Sequence, residues 1–182
     1  SIEDKAQEMS ELISNVLDLV RFEAGHERLR RDWQTLDDLV GAALHRLGER
    51  LDGHPIEIDL PADLPPVHVD ATLVVQVFCN LLDNIVKYTP LGTRAHVSAT
   101  LDDSFIRVNV HDEGPGLPTG DPQRLFDKFQ RGEQEPAAVG VGLGLAICRA
   151  IVRAHGGEIT AHRRAGGGAR FEFTLPTTEP AS

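Results

Sequence analysis

Two pairs of segments with alternating apolar and polar residues, each pair joined by a tight turn, constrain the fold of this 182-residue chain most strongly. The first pair reads RAHVSATL and SFIRVNV around residues 102–104, and the second reads GEITAHRR and ARFEFTL around residues 166–168. This alternation predicts antiparallel β-hairpins with one buried face. Each hairpin follows a segment of helical periodicity, at residues 71–88 and at the segment that ends near His155. The order predicts an α+β sandwich with one sheet and one layer of helices.

The segments between these hairpins and helices continue the mixture of helices and short strands. Residues 36–51 have the periodicity of an amphipathic helix, which Thr35 or Asp37 would cap at its N-terminus. Short strands are predicted within residues 29–36 and at PIEIDLP and PPVHVD. A short helical insert is predicted near residues 122–129.

The first 25 residues predict a long helix with a heptad seam. The seam residues recur at steps of four and three and are broadened by three leucines: Ile2, Ala6, Met9, Ile13, Val16 and Val20, with Leu12, Leu17 and Leu19. Gly25 suits the end of such a helix. We expect another helix of the chain or a second copy to cover so wide a stripe. Because Ser1 begins inside the helical pattern without an initiator Met, we also expect the chain to be a piece of a longer protein.

Composition excludes several classes of partner. The net charge of −10 disfavours binding to nucleic acid or to an anionic membrane surface. The longest apolar runs fall well short of the ~18 residues that a membrane span needs. Cys79 and Cys148 lie in apolar helical patterns, which favours reduced packing cysteines over a disulfide.

The predicted helix at residues 71–88 carries an unusual polar side. Its apolar residues share the other side at 100° per residue: Val74, Phe78, Leu81, Leu82 and Ile85. Asn80, Asn84 and Lys87 lie opposite them at i, i+4 and i+7. Asparagine is a poor helix former, and its amide oxygen suits Mg²⁺, which keeps phosphate oxygens among its ligands. An ordinary solvated face is the alternative interpretation.

A strand end and a glycine-rich helix start are two further candidates. In VNVHDEGPGL the alternation ends at Asp112, where a carboxylate in a pocket could accept from an exocyclic amino group such as that of adenine. In GVGLGL, glycine recurs at Gly140, Gly142 and Gly144 where a helix begins, which would direct backbone N–H groups at an anion. No lysine follows as in a P-loop, and no strand precedes as in a dinucleotide fingerprint. A plain turn and a flexible loop remain the alternatives.

The segment RLFDKFQRG is the fourth candidate. Phe126 and Phe129 could anchor a mobile segment against the body of the protein, while Lys128 and Arg131 face a ligand. Apolar anchors of this kind are also common in loops that bind nothing.

In this order the four motifs resemble the N, G1, F and G2 boxes of sensor histidine kinases: NLLDNIVKYTP, DEGPG, LFDKF and GVGLGL. The resemblance spans about residues 29–176 and implies the Bergerat ATP-binding fold shared with gyrase, Hsp90 and MutL. That fold has a mixed sheet with about three helices on one face. Residues 29–182 would be the ATP-binding catalytic domain, with a lid at about 117–139. Residues 1–28 would be the second helix of a truncated dimerisation and phosphotransfer hairpin.

The resemblance also implies ATP and Mg²⁺ as cofactors and a role for each motif residue. Asn84, with Asn80 beside it, would hold Mg²⁺, and Lys87 would contact the phosphates. Asp112 would accept from N6 of adenine, and Tyr88 would flank the nucleotide. The other implied nucleotide-binding residues are Gly114 and Gly116 at the base, Phe126 and Phe129 as hinge contacts of the lid, Lys128 and Arg131 as γ-phosphate partners, and Gly140, Gly142, Leu143, Gly144 and Leu145 at the phosphates. Asn84, Lys87 and Arg131 would be the catalytic residues among them.

One expected motif is missing. The acceptor histidine of the family stands in a sequence of roughly His-Glu/Asp-x-x-Arg/Asn-Thr/Ser-Pro, and none of the eight histidines here does so; His26 is followed by ERLRR and His111 by DEGP. We therefore expect transfer of the γ-phosphate to a histidine of a helix absent from this sequence, and then to an aspartate of a response regulator. The parent kinase would be a homodimer in the bacterial inner membrane, with this fragment on the cytoplasmic side and out of contact with the membrane.

Two other functions fit the same residues. An ATPase or serine kinase of the same fold, such as an anti-sigma-factor kinase, would use a different acceptor. A non-catalytic module would use the pocket to sense a nucleotide or the first helix to dimerise.

Overall fold

A computed structural model of the chain describes residues 1–25, 28–127 and 142–181. The helices are α1 (Ile2–Glu23), α2 (Leu36–Leu47), α3 (Ala71–Tyr88) and α4 (Gly144–Ala154), with short 3₁₀ segments at Gly48–Leu51 and Pro122–Phe126. The strands are β1 (Asp32–Gln34), β2 (Ile56–Asp59), β3 (Val67–Val69), β4 (Ala95–Asp102), β5 (Phe105–Asp112), β6 (Ile159–Arg163) and β7 (Ala169–Pro176).

Five strands form one mixed sheet in the order β2-β4-β5-β7-β6. Strand β2 is parallel to β4, and every other pair in this sheet is antiparallel. Both predicted hairpins are present, as β4–β5 and β6–β7. One face of the sheet is buried under the helices, because alternate residues along β4, β5, β6 and β7 are buried. The predicted α+β sandwich is confirmed.

A second, two-stranded sheet departs from the single sheet that the sequence predicts. Strands β1 and β3 pair antiparallel, with Trp33 opposite His68 and their ring centroids 4.8 Å apart. The two valines of β3 are fully buried in the core. Asp70, which follows β3, caps α3 by accepting from the N–H of Leu73 at 3.3 Å and also accepts from the N–H of Arg30 at 3.0 Å. The small sheet therefore fixes the start of α3.

Helix α3 has the bounds and the buried side that its periodicity predicts. The five apolar residues on that side are at most 2% exposed: Val74, Phe78, Leu81, Leu82 and Ile85. Phe78 meets Phe173 of β7 edge-on, with ring centroids 5.4 Å apart. Because this side packs on the sheet, the asparagines and lysine of α3 are directed away from the core.

A buried histidine joins the end of α4 to the start of α3. His155 Nδ1 donates to the carbonyl oxygen of Ile151 at 2.8 Å, and Nε2 accepts from the N–H of Asp70 at 3.0 Å. Burial lowers the pKa of His155, which favours the neutral ring that this donor–acceptor pattern needs. Because the end of α4 meets the start of α3, the second half of α3 lies beside the start of α4.

The two cysteines are buried free thiols, as the sequence predicts. Both lie in the helix layer, Cys79 on α3 and Cys148 on α4. Burial raises the pKa of Cys148 to about 12, so this thiol stays protonated and packs as a small apolar side chain.

Helix α1 packs on the helix layer through one edge of the predicted apolar stripe, not through the heptad seam itself. Leu19 is buried, and Leu12 and Phe22 pack against the core. The seam is exposed instead, from 37% at Val16 to 88% at Ile2. Within the described residues, the stripe that we expected to be covered is thus covered only along the edge formed by Leu12 and Leu19. None of the described helices is long and apolar enough to cross a membrane.

Removal of the Phe78 ring tests the packing of α3 on the sheet. Phe78→Ala should lower the free energy of unfolding by about 3–5 kcal/mol, because the ring is fully buried. Leu101→Ala is the control, since Leu101 is 54% exposed and should lose less than about 1 kcal/mol. Urea denaturation followed by circular dichroism measures both, and equal losses would contradict the packing described.

Candidate functional site

A cleft of about 1740 Å³ lies between the second half of α3, the end of β5 and the start of α4. Acidic and amide side chains of α1 line its far side. The cleft brings together most of the described residues that the sequence singles out: Asn80, Asn84, Lys87, Tyr88, Asp112, Gly116, Gly142, Leu143, Gly144 and Leu145. Gly114 and Phe126 lie behind its wall. Lys128, Phe129, Arg131 and Gly140 are outside the described residues, as is His26.

Asp112 is a buried carboxylate at the wall of the cleft. The alternation that buries Ile106, Val108 and Val110 also directs Asp112 toward the helix layer, where it is 5% exposed. Its Oδ1 accepts from the N–H groups of Gly114 at 2.8 Å and Ala169 at 3.3 Å. Among the described residues, Oδ2 has no hydrogen-bond partner. One oxygen thus holds the carboxylate in place, and the other is available to a ligand.

The turn between β6 and β7, residues 164–168, packs against the backbone of Asp112. Arg164 Nη1 donates to the carbonyl oxygen of Asp112 at 2.8 Å. A Cβ atom at Gly168 would stand 2.0 Å from the same oxygen, and this glycine has a φ of +95°. Only glycine fits so close to another backbone at that φ. The sequence predicts a glycine turn here, but the contact with Asp112 joins residues far apart in the chain, and no local signal reveals it.

Packing requires a glycine at position 114, two residues after Asp112. A Cβ atom at Gly114 would lie 2.7 Å from Thr89 Cγ2 and 2.9 Å from Asp112 Oδ1. Thr89 lines the cleft directly after α3, and its hydroxyl donates to the carbonyl oxygen of Ile85 at 2.6 Å. His54 Nε2 lies 3.2 Å from the same hydroxyl oxygen. Neither Thr89 nor His54 was a sequence candidate.

The asparagines of α3 have different surroundings. Asn80 Nδ2 donates to the carbonyl oxygen of Gly144 at 3.3 Å, and the Asn80 side chain also contacts the Cys148 thiol. Asn84 has no side-chain partner among the described residues and lines the cleft. In the ranges 1–25, 28–127 and 142–181 no three His, Cys, Asp or Glu residues are placed to hold a metal ion. The amide oxygens of Asn80 and Asn84 are among the oxygen donors that the cleft offers a hard cation.

Lys87 takes part in a chain of ion pairs. Its Nζ lies 2.8 Å from Asp83 Oδ2, and Asp83 Oδ1 accepts from Arg50 at 2.6 Å. Arg50 in turn lies 4.0 Å from Glu11 of α1. The Lys87 side chain is 35% exposed, and Asp83 keeps Arg50 as its second partner. Lys87 can therefore leave Asp83 for an anion in the cleft at little expense.

Among the described residues no side chain caps the start of α4, which opens on the cleft. Its N-cap residue, Leu143, makes no side-chain hydrogen bond to the first turn. Gly142 lines the cleft just before the helix and has a φ of +71°, a conformation that favours glycine. Within the described part of the chain, the nearest atom to a Cβ built at Gly144 would be Asn80 Cγ at 4.0 Å. Free N–H groups and the positive end of the helix dipole favour an anion here.

The described part of the predicted lid is attached to β6. Gln123 both donates to and accepts from the backbone of Ala161, at 2.7 and 3.2 Å. Phe126 is buried and meets Phe171 edge-on at 6.2 Å. Arg149 lies over the Phe126 ring at 5.9 Å. Phe126 thus anchors the segment before residue 128 to the sheet and does not line the cleft.

Comparison with known proteins places this arrangement in a family. Residues 69–179 match the family described as histidine kinase-, DNA gyrase B-, and HSP90-like ATPase. The chain belongs to this family. It is also 47% identical over 165 residues to the sensor protein KdpD of Escherichia coli (strain K12), an alignment that covers 91% of this chain and 18% of KdpD.

Two solved structures share the fold of this ATPase-family chain. Full-length ShkA in complex with AMPPNP superposes with a TM-score of 0.82 at 25% identity, over 97% of this chain and 38% of ShkA. The histidine kinase ThkA, in complex with the response regulator protein TrrA, has a TM-score of 0.76 at 25% identity, over 95% of this chain and 49% of that one. The chain thus spans less than half the length of each of these relatives.

A pair of glycine substitutions in the β6–β7 turn tests the support of Asp112 in this ATPase-family fold. Gly168→Ala should lower the free energy of unfolding by at least about 2 kcal/mol more than Gly166→Ala. Gly166 is a matched control, because its φ of +90° is similar but no described residue lies within 4 Å of its Cβ position. Urea denaturation of both variants gives the comparison. Equal losses of unfolding free energy would show that Gly168 is not closely packed against the backbone of Asp112.

Proposed function

We propose that this chain is the ATP-binding catalytic domain of a two-component sensor histidine kinase. The family match and the identity with KdpD support this proposal. The observation that carries it is the half-satisfied carboxylate of Asp112, which faces the same cleft as the uncapped start of α4. A hydrogen-bond acceptor at one end and an anion site at the other suit a nucleotide whose base has an amino group.

The base of ATP is proposed to bind beside Asp112. Oδ2 would accept from the 6-amino group of adenine, while Oδ1 stays on the N–H groups of Gly114 and Ala169. The exposed side of Tyr88 and the backbone at Gly116 would flank the nucleotide. A charged acceptor that is held in one orientation favours an amino group over a carbonyl group at that position of the purine.

The phosphates are proposed to bind at the start of α4, opposite the asparagines of α3. The N–H groups at Gly142, Leu143, Gly144 and Leu145 would face the phosphate oxygens. The unpartnered Asn84 amide fits a role as Mg²⁺ ligand, with Asn80 beside it, and bound Mg²⁺ would neutralise charge on the phosphates. Lys87 would move from Asp83 toward the phosphates. Roles for Phe126 as a lid anchor and for Lys128, Phe129, Arg131 and Gly140 at the γ-phosphate side stay predictions from the resemblance.

The proposed reaction is transfer of the γ-phosphoryl group to a histidine. An imidazole nitrogen supplied by another helix attacks the γ-phosphorus in line; the N–P bond forms, and the bond to the bridging oxygen breaks with its electron pair leaving on ADP. The phosphoryl group then passes to an aspartate carboxylate of a response regulator. This chain contributes mainly position and charge neutralisation, which is what phosphoryl transfer requires of a protein.

The rest of the signalling protein is proposed from the resemblance. Residues 1–28 would be the second helix of the dimerisation and phosphotransfer hairpin, and the exposed seam of α1 suits a helical partner in a homodimer. A KdpD-like parent would respond to potassium and lie in the bacterial inner membrane, with residues 29–182 on the cytoplasmic side. The complex of ThkA with TrrA supports a response regulator as the partner.

Substitution of Asp112 tests the base side of the proposal. In Asp112→Asn, the single amide oxygen must stay on the two backbone N–H groups, so the NH₂ group faces the amino group of adenine. Affinity for a non-hydrolysable ATP analogue should fall at least about tenfold. Asp59→Asn, an exposed carboxylate of β2 outside the cleft, is the control and should change the affinity less than about twofold.

Calorimetric titrations with and without Mg²⁺ measure both variants. Unchanged binding in Asp112→Asn would exclude this carboxylate as the base acceptor. Identical titrations with and without Mg²⁺ would exclude the Asn84 site for the metal.

The missing acceptor motif predicts that the chain does not label itself. Incubation with γ-³²P-labelled ATP should leave no label that is acid-labile and alkali-stable, the signature of phosphohistidine. A label of that kind would show that one of the eight histidines is an acceptor. Labelling of His26→Ala and His111→Ala would then show whether the acceptor is one of the two histidines whose flanking residues were compared with the motif.

A further inference from the structure

We infer that His54 is a positioning residue for the base side of the cleft, acting through Thr89 and Gly114 on the Asp112 carboxylate. The inference rests on the proposed function, because it concerns how the cleft selects the purine. His54 does not line the cleft, so it would set the selectivity of the site without touching the nucleotide.

The hydrogen bonds of His54 indicate a specific role. The residue lies between the 3₁₀ segment Gly48–Leu51 and β2 and is 4% exposed. Thr89 uses its hydroxyl hydrogen on the carbonyl oxygen of Ile85. The 3.2 Å contact with His54 Nε2 must therefore be a bond that the histidine donates and Thr89 accepts.

Packing alone does not account for a histidine at this position. His54 Nδ1 is buried and has no hydrogen-bond partner among the described residues. A buried nitrogen without a partner destabilises the folded chain, and an apolar side chain of similar size would avoid that loss. The bond to Thr89 is the property that such an apolar side chain could not supply.

Thr89 transmits this bond to the backbone beside Asp112. Two hydrogen bonds on one hydroxyl oxygen select a single χ1 rotamer of the β-branched side chain. In that rotamer Cγ2 packs against Gly114, where a Cβ atom would stand only 2.7 Å away. The methyl group therefore limits the movement of the turn after β5 toward Thr89.

Gly114 completes the connection. Its N–H donates to Asp112 Oδ1 at 2.8 Å and so decides which carboxylate oxygen is left for the ligand. If Thr89 can rotate, the turn at Gly114 loosens, and the carboxylate samples other orientations. A loosened acceptor still attracts a nucleotide but distinguishes less well between an amino group and a carbonyl group on the base.

Purine selectivity is thus the property to measure. The probes are non-hydrolysable analogues of ATP and of inosine triphosphate, which carries a 6-oxo group in place of the 6-amino group. The wild-type chain should prefer the ATP analogue by about tenfold or more. His54→Leu should lower this preference at least about threefold, and His54→Gln should keep it, because its side-chain amide can donate from nearly the same place.

The Thr89 variants complete the test. In a Thr89→Val background, His54→Leu should change the preference no further, since the acceptor of the bond is gone. Thr89→Ser keeps the hydroxyl but removes the methyl group against Gly114, and it should lower the preference even though His54 is intact. Thermal melting of each variant confirms that folded protein is compared.

The outcomes separate this inference from the proposed function. A wild-type chain that binds neither analogue would overturn both. A wild-type chain that prefers the ATP analogue, with the same preference in His54→Leu or in Thr89→Ser, would overturn the role of His54 alone. A His54→Gln variant that is as unselective as His54→Leu would also overturn it. The loss of selectivity would then come from the packing of His54 and not from the hydrogen bond that it donates to Thr89.

Discussion

The orientation of one buried carboxylate depends on two backbone hydrogen bonds, and much of the site depends on that orientation. Asp112 accepts from the N–H groups of Gly114, in the turn after β5, and of Ala169, the first residue of β7. A buried carboxylate needs such partners, because an unpaired charge in the protein interior is strongly unfavourable. With both bonds on one oxygen, the second oxygen stays at the cleft wall. The turn after β5 and the β6–β7 turn must therefore meet at Asp112.

The sheet and the helix layer bring the two ends of the cleft together. Strand β5 directs Asp112 toward the helices, and α3 carries its asparagines along the adjacent wall. His155 joins the end of α4 to the start of α3, so the open start of α4 lies beside Asn80. In this way an acceptor for a base and a positive helix end for phosphates face one cavity.

Local patterns were sufficient to predict the parts of the fold that a single segment determines. The period of α3 gave its buried side, and the alternation in VNVHD placed Asp112 at the end of a strand. Asp112, Asn84 and Gly142 could be singled out because each residue type is unusual or chemically suited to its local element. Their assembly in one cleft followed from the resemblance of the four motifs to a family, not from any one spacing.

Long-range contacts account for what the sequence did not reveal. The pairing of β1 with β3 joins two short segments that carry no strong pattern, so a second sheet was not predicted. The apolar stripe of α1 was expected to be covered as a whole, but the core covers only its edge at Leu12 and Leu19, together with Phe22. Gly168, Thr89 and His54 act only through residues distant in sequence. The close approach of Gly168 to the carbonyl oxygen of Asp112, where a Cβ atom would stand only 2.0 Å away, has no signature in either segment.

A crystal structure of the chain with Mg²⁺ and a non-hydrolysable ATP analogue would test the central claim most directly. The account predicts the 6-amino group of adenine within hydrogen-bonding distance of Asp112 Oδ2 and the phosphates at the N–H groups of residues 142–145. A nucleotide bound with its base away from Asp112, or with its phosphates away from the start of α4, would contradict it.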